Sequence, residues 1–188
     1  MRVMLEYARE RLVRGSVLAA VVLVTAGAQV GRGVSSVSVP GTDLAISLCL
    51  VISFRIWDDL MDRERDRILH PTRVVVRARS IRSLSIAASG IALAGASVLL
   101  RARGARAISV LIAFSGVLAV WYAVRGTRSA AGDRILLSKY AVFTVVLIGP
   151  ASFTPRPAAS ALLVYLAACI YEWRHDGESP VFSFGGSR

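Results

Sequence analysis

The chain contains few cysteines, and this excludes two classes of protein as its identity. The two cysteines, Cys49 and Cys169, each lie inside an apolar run. Two thiols in such surroundings exclude a disulfide-rich secreted scaffold and a cysteine-based zinc site. We therefore expect both thiols to be buried and to pack as small apolar side chains.

Lysine and acidic residues are also rare. Only one of the 23 basic residues, Lys139, is a lysine, and with 12 acidic residues the net charge is +11. A balance of this kind is found in nucleic-acid-binding proteins, but here the arginines cluster between apolar runs instead of along one polar face. We expect no nucleic-acid partner and attribute the arginines to orientation in a membrane.

Apolar sequence is what the chain has in abundance. Hydrophobic residues make up 55% of it, and its mean hydropathy of +0.59 is typical of membrane proteins that cross the bilayer several times. We predict an all-α fold in which a single integral-membrane domain, residues 1–188, forms a bundle of about six transmembrane helices. The apolar runs cover residues 15–30, 44–57, 83–100, 107–124, 135–153 and 158–173.

The first apolar run allows two interpretations. Ala26-Gly27-Ala28 resembles the small-residue cleavage site of a signal peptide. The leading segment, however, is long and contains Glu6 and Glu10, which favours an uncleaved first helix.

The distribution of basic residues predicts the orientation. With both termini in the cytoplasm, 17 basic residues fall on the cytoplasmic side and five on the opposite side. Because basic residues are retained on the cytoplasmic side, this bias favours two cytoplasmic termini. It also places the acidic residues that follow the second run on the cytoplasmic face.

Those acidic residues concentrate in the stretch 55–73, which follows the second apolar run. Asp59, Asp62 and Asp66 stand at positions i, i+3 and i+7, and at about 100° per residue they fall on one side of a helix. Clustered carboxylates repel one another unless a cation neutralises them, and Mg²⁺ prefers such oxygen ligands together with the phosphates of a substrate. The alternative is a solvated helix end that is neutralised by the interleaved arginines of the same stretch.

The segment DDLMDRERD resembles the first aspartate-rich motif of the UbiA-type intramembrane prenyltransferases. That motif reads N/D-D-x-x-D-x-x-x-D, which here gives Asp58, Asp59, Asp62 and Asp66. The first position is more often Asn in the family. The resemblance implies that these four carboxylates bind Mg²⁺ and that Asp59, Asp62 and Asp66 are catalytic, with no other cofactor.

The resemblance extends to the end of the sixth run. The family carries a second acidic motif, D-x-x-x-D, after its sixth helix, and here it would read Glu172-x-x-x-Asp176. These two residues would complete the metal site, with Glu in place of the commoner Asp. The resemblance also implies basic residues that hold the diphosphate, and the candidates are Arg55, Arg73, Arg125 and Lys139.

The family is usually a ring of nine transmembrane helices, and this chain supplies about six. The counterparts of the last helices are missing from the sequence. A truncated product, a fragment and a minimal member that forms a homo-oligomer are the alternatives that remain open.

The function implied by the resemblance is that of a transferase of alkyl groups other than methyl. It would transfer an isoprenyl group from a polyprenyl diphosphate to an acceptor, with Mg²⁺ assisting departure of the diphosphate. Neither the acceptor nor the prenyl chain length follows from the sequence. The alternatives are a terpene cyclase of the same fold and a degenerate, non-catalytic membrane subunit. A phosphatidyltransferase is disfavoured because Arg63 stands where its motif requires glycine.

Overall fold

The structure, a computed structural model, describes most of the chain and is helical. The described residues are 2–13, 15–33, 41–125, 129–149, 154–175 and 179–182. Every regular element within these ranges is a helix, which confirms the all-α prediction. The chain divides into two compact units, one made of Met1–Val22 and Pro40–Val98, the other of Leu23–Val39 and Leu99–Arg188. The prediction of a single domain over 1–188 stays a prediction.

The first unit joins a short amino-terminal helix to the aspartate-rich stretch. Its core consists of Tyr7, Ile56, Val74, Val75 and Leu84, so residues far apart in sequence bury one another's apolar surface. Helix α1 (Arg2–Tyr7) continues into a π-helical segment (Ala8–Leu12), and the helices that follow are α2 (Gly15–Arg32), α3 (Gly41–Met61), α4 (Arg63–Leu69), α5 (Val74–Arg77) and α6 (Arg82–Arg103).

The second unit is built on three long helices. They are α7 (Ala105–Val124), α8 (Ala130–Ile148) and α9 (Pro155–His175), and α8 packs against both of the others. The end of α2 packs on the same group, because Gly27 has no side chain where a Cβ would overlap Val164. The Ser160 hydroxyl donates to the Gly27 carbonyl oxygen at 2.5 Å. This is the close contact through small residues that membrane helices favour.

Among the described residues, three helices are long and apolar enough to cross a membrane, namely α2, α6 and α7. Only 17% of the apolar stretch of α6 and 22% of that of α7 is buried. Their apolar side chains therefore face largely outward, as they do in helices that contact lipid. The length, composition and low burial of these helices support the prediction of a membrane protein. Helices α3, α8 and α9 also coincide with predicted runs, and the count of six spans stays a prediction.

The two cysteines differ in their surroundings. Both are free thiols, and Cys169 is buried as predicted, whereas Cys49 is only partly buried. The Cys49 side chain lies on α3 against Gly95 of α6, where a Cβ on the glycine would touch it. The expectation of full burial is therefore wrong for Cys49.

Candidate functional site

The amino-terminal segment reaches the aspartate-rich end of α3 and binds Asp59. The Tyr7 hydroxyl donates to Asp59 Oδ2 at 2.7 Å. Arg11 donates from Nε to Oδ2 at 2.9 Å and from Nη2 to Oδ1 at 2.6 Å. Both oxygens of this carboxylate, which is only 4% exposed, are therefore bound, in the two-pronged geometry that suits a guanidinium group.

The charges around Asp59 keep it ionised. Burial alone opposes ionisation, but the hydrogen bond from Arg11, the charges of Arg55 and Arg11 and the Tyr7 hydroxyl outweigh it and hold the pKa of Asp59 below its ordinary 3.8. Burial and the neighbouring Asp59 charge raise the pKa of Tyr7 above its ordinary 10.0. Tyr7 therefore stays protonated and donates its hydrogen bond over the ordinary pH range.

A second buried carboxylate, Asp66 of α4, is also bound by an arginine. Arg73 Nη1 lies 2.6 Å from both Asp66 oxygens, and Asp66 is 3% exposed. This pair fixes the turn between α4 and α5. The polar stretch that follows the second run, residues 58–82, is therefore a folded connector, and its buried carboxylates Asp59 and Asp66 are paired as burial requires.

Two further contacts hold the connector in place. The Glu10 carboxylate accepts from the Val74 backbone N–H, with its oxygens at 3.2 and 3.4 Å. Arg63 donates from Nε to the Val75 carbonyl and from Nη2 to the Ala78 carbonyl, each at 3.0 Å. Short helices cannot satisfy their own terminal groups, so these side chains do it for α5.

The remaining residues of the first motif lie in the same region of the first unit. Asp58 is buried at the end of α3, and Asp62 is half-buried between α3 and α4. The Nε of Arg55 lies 3.7 Å from Asp59 Oδ2, one helical turn away. The structure therefore places one predicted diphosphate ligand, Arg55, beside a motif carboxylate and pairs another, Arg73, with Asp66.

The arrangement does not fit a bound metal ion as it stands. Carboxylate oxygens are the right ligands for Mg²⁺, but those of Asp59 and Asp66 are bound to arginine. Throughout the described ranges, no group of three or more histidine, cysteine, aspartate or glutamate side chains is placed to hold a metal. A Mg²⁺ ion at either carboxylate would lie beside the positive charge of Arg11 or Arg73, which opposes its binding.

The second predicted set belongs to the second unit. Glu172 is half-buried near the end of α9, and its partner Asp176 lies outside the described residues. Lys139 is 7% exposed on α8, with Nζ 5.5 Å from the ring centroid of Tyr140. The guanidinium carbon of Arg125 lies 4.2 Å from the ring centroid of Tyr122, a cation–π contact. A ligand shared by the two acidic motifs stays a prediction.

Sequence reasoning missed the residues that bind the motif. Tyr7 and Arg11 lie 52 and 48 positions before Asp59, and no local pattern links segments so far apart. The one available signal was the leading segment itself, in which glutamates and arginines alternate with apolar residues. That pattern indicates an amphipathic helix with charged partners elsewhere.

Comparisons with known proteins identify no relative of this chain. No family model, no curated protein and no solved structure matches the chain. The UbiA-type resemblance therefore depends on the quoted motif residues alone, and the fold and activity it implies stay predictions.

The Asp59 cluster predicts a large loss of stability on truncation. Asp59→Ala leaves the Arg11 guanidinium, whose side chain is 11% exposed, without its counter-charge, which costs about 3–5 kcal/mol of unfolding free energy. Thermal unfolding in detergent micelles measures the loss. The matched control is Glu64→Ala, because Glu64 pairs with Arg67 in the same stretch but both are exposed, so we expect less than about 1 kcal/mol. Equal losses in the two variants would contradict the buried pair.

The same cluster sets a pH window for attachment of the amino-terminal segment. The pKa of Asp59 is lowered by folding, so its contribution is present above about pH 3.9 and is lost as the pH falls towards the folded value. The pKa of Tyr7 is raised, so its contribution is lost as the pH rises above about 10. Hydrogen exchange of residues 2–12 against pH measures both limits. Asp59→Asn should abolish the acidic step, and an unchanged acidic step in that variant would refute the assignment.

Proposed function

We propose that the chain is a UbiA-like intramembrane prenyltransferase, which transfers an isoprenyl group from a polyprenyl diphosphate to a nucleophilic acceptor. One observation carries the proposal. Asp58 and Asp59 at the end of α3 and Asp66 on α4 are each buried, and Asp59 and Asp66 are paired with arginines. Within the described residues, three helices are long and apolar enough to span a membrane. A charged site beside lipid suits a substrate that has an anionic head and an apolar tail.

The arginines supply the chemistry that a diphosphate needs. Guanidinium groups bind phosphate oxygens with two parallel hydrogen bonds. Arg55 and Arg73 would accept the negative charge that develops as the bond between the prenyl carbon and the diphosphate oxygen breaks, with the electron pair leaving on the oxygen. The acceptor then forms the new bond to the prenyl carbon and releases a proton. Arg125 and Lys139 remain the basic candidates of the second unit.

Magnesium belongs to the proposal as the ion that the motif implies. The carboxylates of Asp59 and Asp66 are bound to arginines, so this arrangement of the cluster does not support a role for the metal in any step. Glu172 and Asp176 remain its proposed ligands from the second motif.

The same ion pairs favour a second candidate, a non-catalytic membrane subunit that retains the motif as a structural element. A structural role requires only that the buried carboxylates be neutralised, and Arg11 and Arg73 do this without any ligand. Turnover by the purified chain separates the two candidates.

The experiment uses the full chain reconstituted in liposomes with farnesyl diphosphate and Mg²⁺, with and without an aromatic acceptor. We expect release of pyrophosphate and a prenylated acceptor, and a clear loss of activity in Asp62→Asn, which removes a carboxylate of the motif. Glu64→Gln is the control, because it removes a carboxylate from the same stretch outside the motif.

The possible results separate the candidates. A cyclised hydrocarbon formed without acceptor would reassign the reaction to a terpene cyclase. Folded wild-type chain that releases no pyrophosphate would contradict the transferase and support the non-catalytic subunit. Equal rates in Asp62→Asn and Glu64→Gln would remove Asp62 from the site.

A further inference from the structure

A cleft of about 600 Å³ in the first unit lies between α1 and the segment that joins α5 to α6. Val3, Val74 and Ala78 form its apolar part. Val74 and Ala78 are buried, and Val3 packs against the core of this unit. The apolar floor of the cleft is therefore formed by side chains that pack into this unit.

The polar part of the cleft is rich in hydrogen-bond donors. Arg77, Arg79, Ser80 and Ser83 line it, with Glu6 as the acidic member. Arg77 is held in place because its Nε donates to the Thr72 carbonyl at 2.8 Å. Two guanidinium groups against one carboxylate give the lining a net positive charge, which favours an anion.

Arg79 is the most available of these donors. Its side chain is exposed, and among the described residues it has no hydrogen-bond or ion-pair partner. Arg63 and Arg73, by contrast, bind carbonyl or carboxylate oxygens inside the protein. The Arg79 guanidinium can therefore bind an external ligand without breaking an internal contact.

The position of the cleft indicates where that ligand comes from. Ser83 lies in the first turn of α6, one of the helices able to span a membrane. If α6 spans, its first turn lies at the depth of the lipid headgroups, where phosphate is concentrated. The amide groups of that first turn add a favourable dipole for an anion.

We propose that this cleft binds the phosphate of an anionic phospholipid headgroup. Arg77 and Arg79 pair with the phosphate oxygens, the Ser80 and Ser83 hydroxyls donate to them, and the apolar floor receives the start of the lipid's hydrocarbon part. The site is separate from the proposed transfer reaction, and it would tie α1 to the membrane end of α6.

The test titrates the detergent-solubilised full chain with phosphatidylglycerol and counts bound lipids by native mass spectrometry. We expect one lipid to bind in preference to phosphatidylcholine, and Arg79→Gln to weaken it about fivefold, the loss expected for one arginine near a lipid headgroup. Arg79→Lys should retain most of the affinity because it keeps the charge. Thermal unfolding checks that each variant is folded.

The control is Arg65→Gln, which removes the same charge from an exposed residue of the same connector that does not line the cleft. Equal weakening in Arg65→Gln and Arg79→Gln would overturn the proposal in favour of diffuse attraction to anionic lipid. Displacement of the lipid by an equal concentration of inorganic phosphate would refute a lipid source for the ligand. Displacement by farnesyl diphosphate at its turnover concentration would refute a site separate from the reaction.

Discussion

The burial of the Asp59 charge at the end of an apolar helix is the constraint on which the first unit depends. An unpaired carboxylate in this position would cost several kcal/mol, and α3 supplies only the more distant Arg55 on its own surface. The compensation comes from Tyr7 and Arg11, which bring the amino-terminal segment against α3. Once that segment is in place, Tyr7 joins the apolar core and Glu10 caps α5. One buried charge thus orders three segments of the chain.

This neutralisation also bears directly on the proposed chemistry. A cluster in which guanidinium and carboxylate groups are already paired has less affinity for a bare cation, because the arginine charges repel the cation. In the proposed transferase, the diphosphate would give the guanidinium groups a second anionic partner. The cluster would then exchange partners when the substrate binds, whereas a purely structural cluster would keep them. The choice between a transferase and a non-catalytic subunit depends on whether that exchange takes place.

The sequence predicted the helices around this site better than the side-chain contacts between them. Each apolar run overlaps a long helix, because hydropathy over some 20 residues is a local property. The fifth run covers 135–153, whereas its helix is Ala130–Ile148 and residues 150–153 lie outside the described residues. The motif is divided between two helices, with Asp58 and Asp59 at the end of α3, Asp62 at the junction and Asp66 on α4. The prediction that its carboxylates share one helix face stays a prediction. The pairing of Asp59 with Arg11 was not predictable, because any of the arginines could have neutralised it and only tertiary packing selects one. The alternative interpretation had the interleaved arginines neutralise the acids, but one of them, Arg63, binds backbone carbonyls of the connector instead.

If the chain is a transferase as proposed, arginines hold the carboxylates of Asp59 and Asp66 until a diphosphate binds. Calorimetric titration of the full chain with Mg²⁺, in the presence and absence of a non-hydrolysable farnesyl diphosphate analogue, tests this exchange. We expect Mg²⁺ binding with the analogue and little binding without it, and Arg11→Gln should make binding without the analogue detectable. Tight Mg²⁺ binding by the wild-type chain alone, or none under either condition, would contradict the exchange.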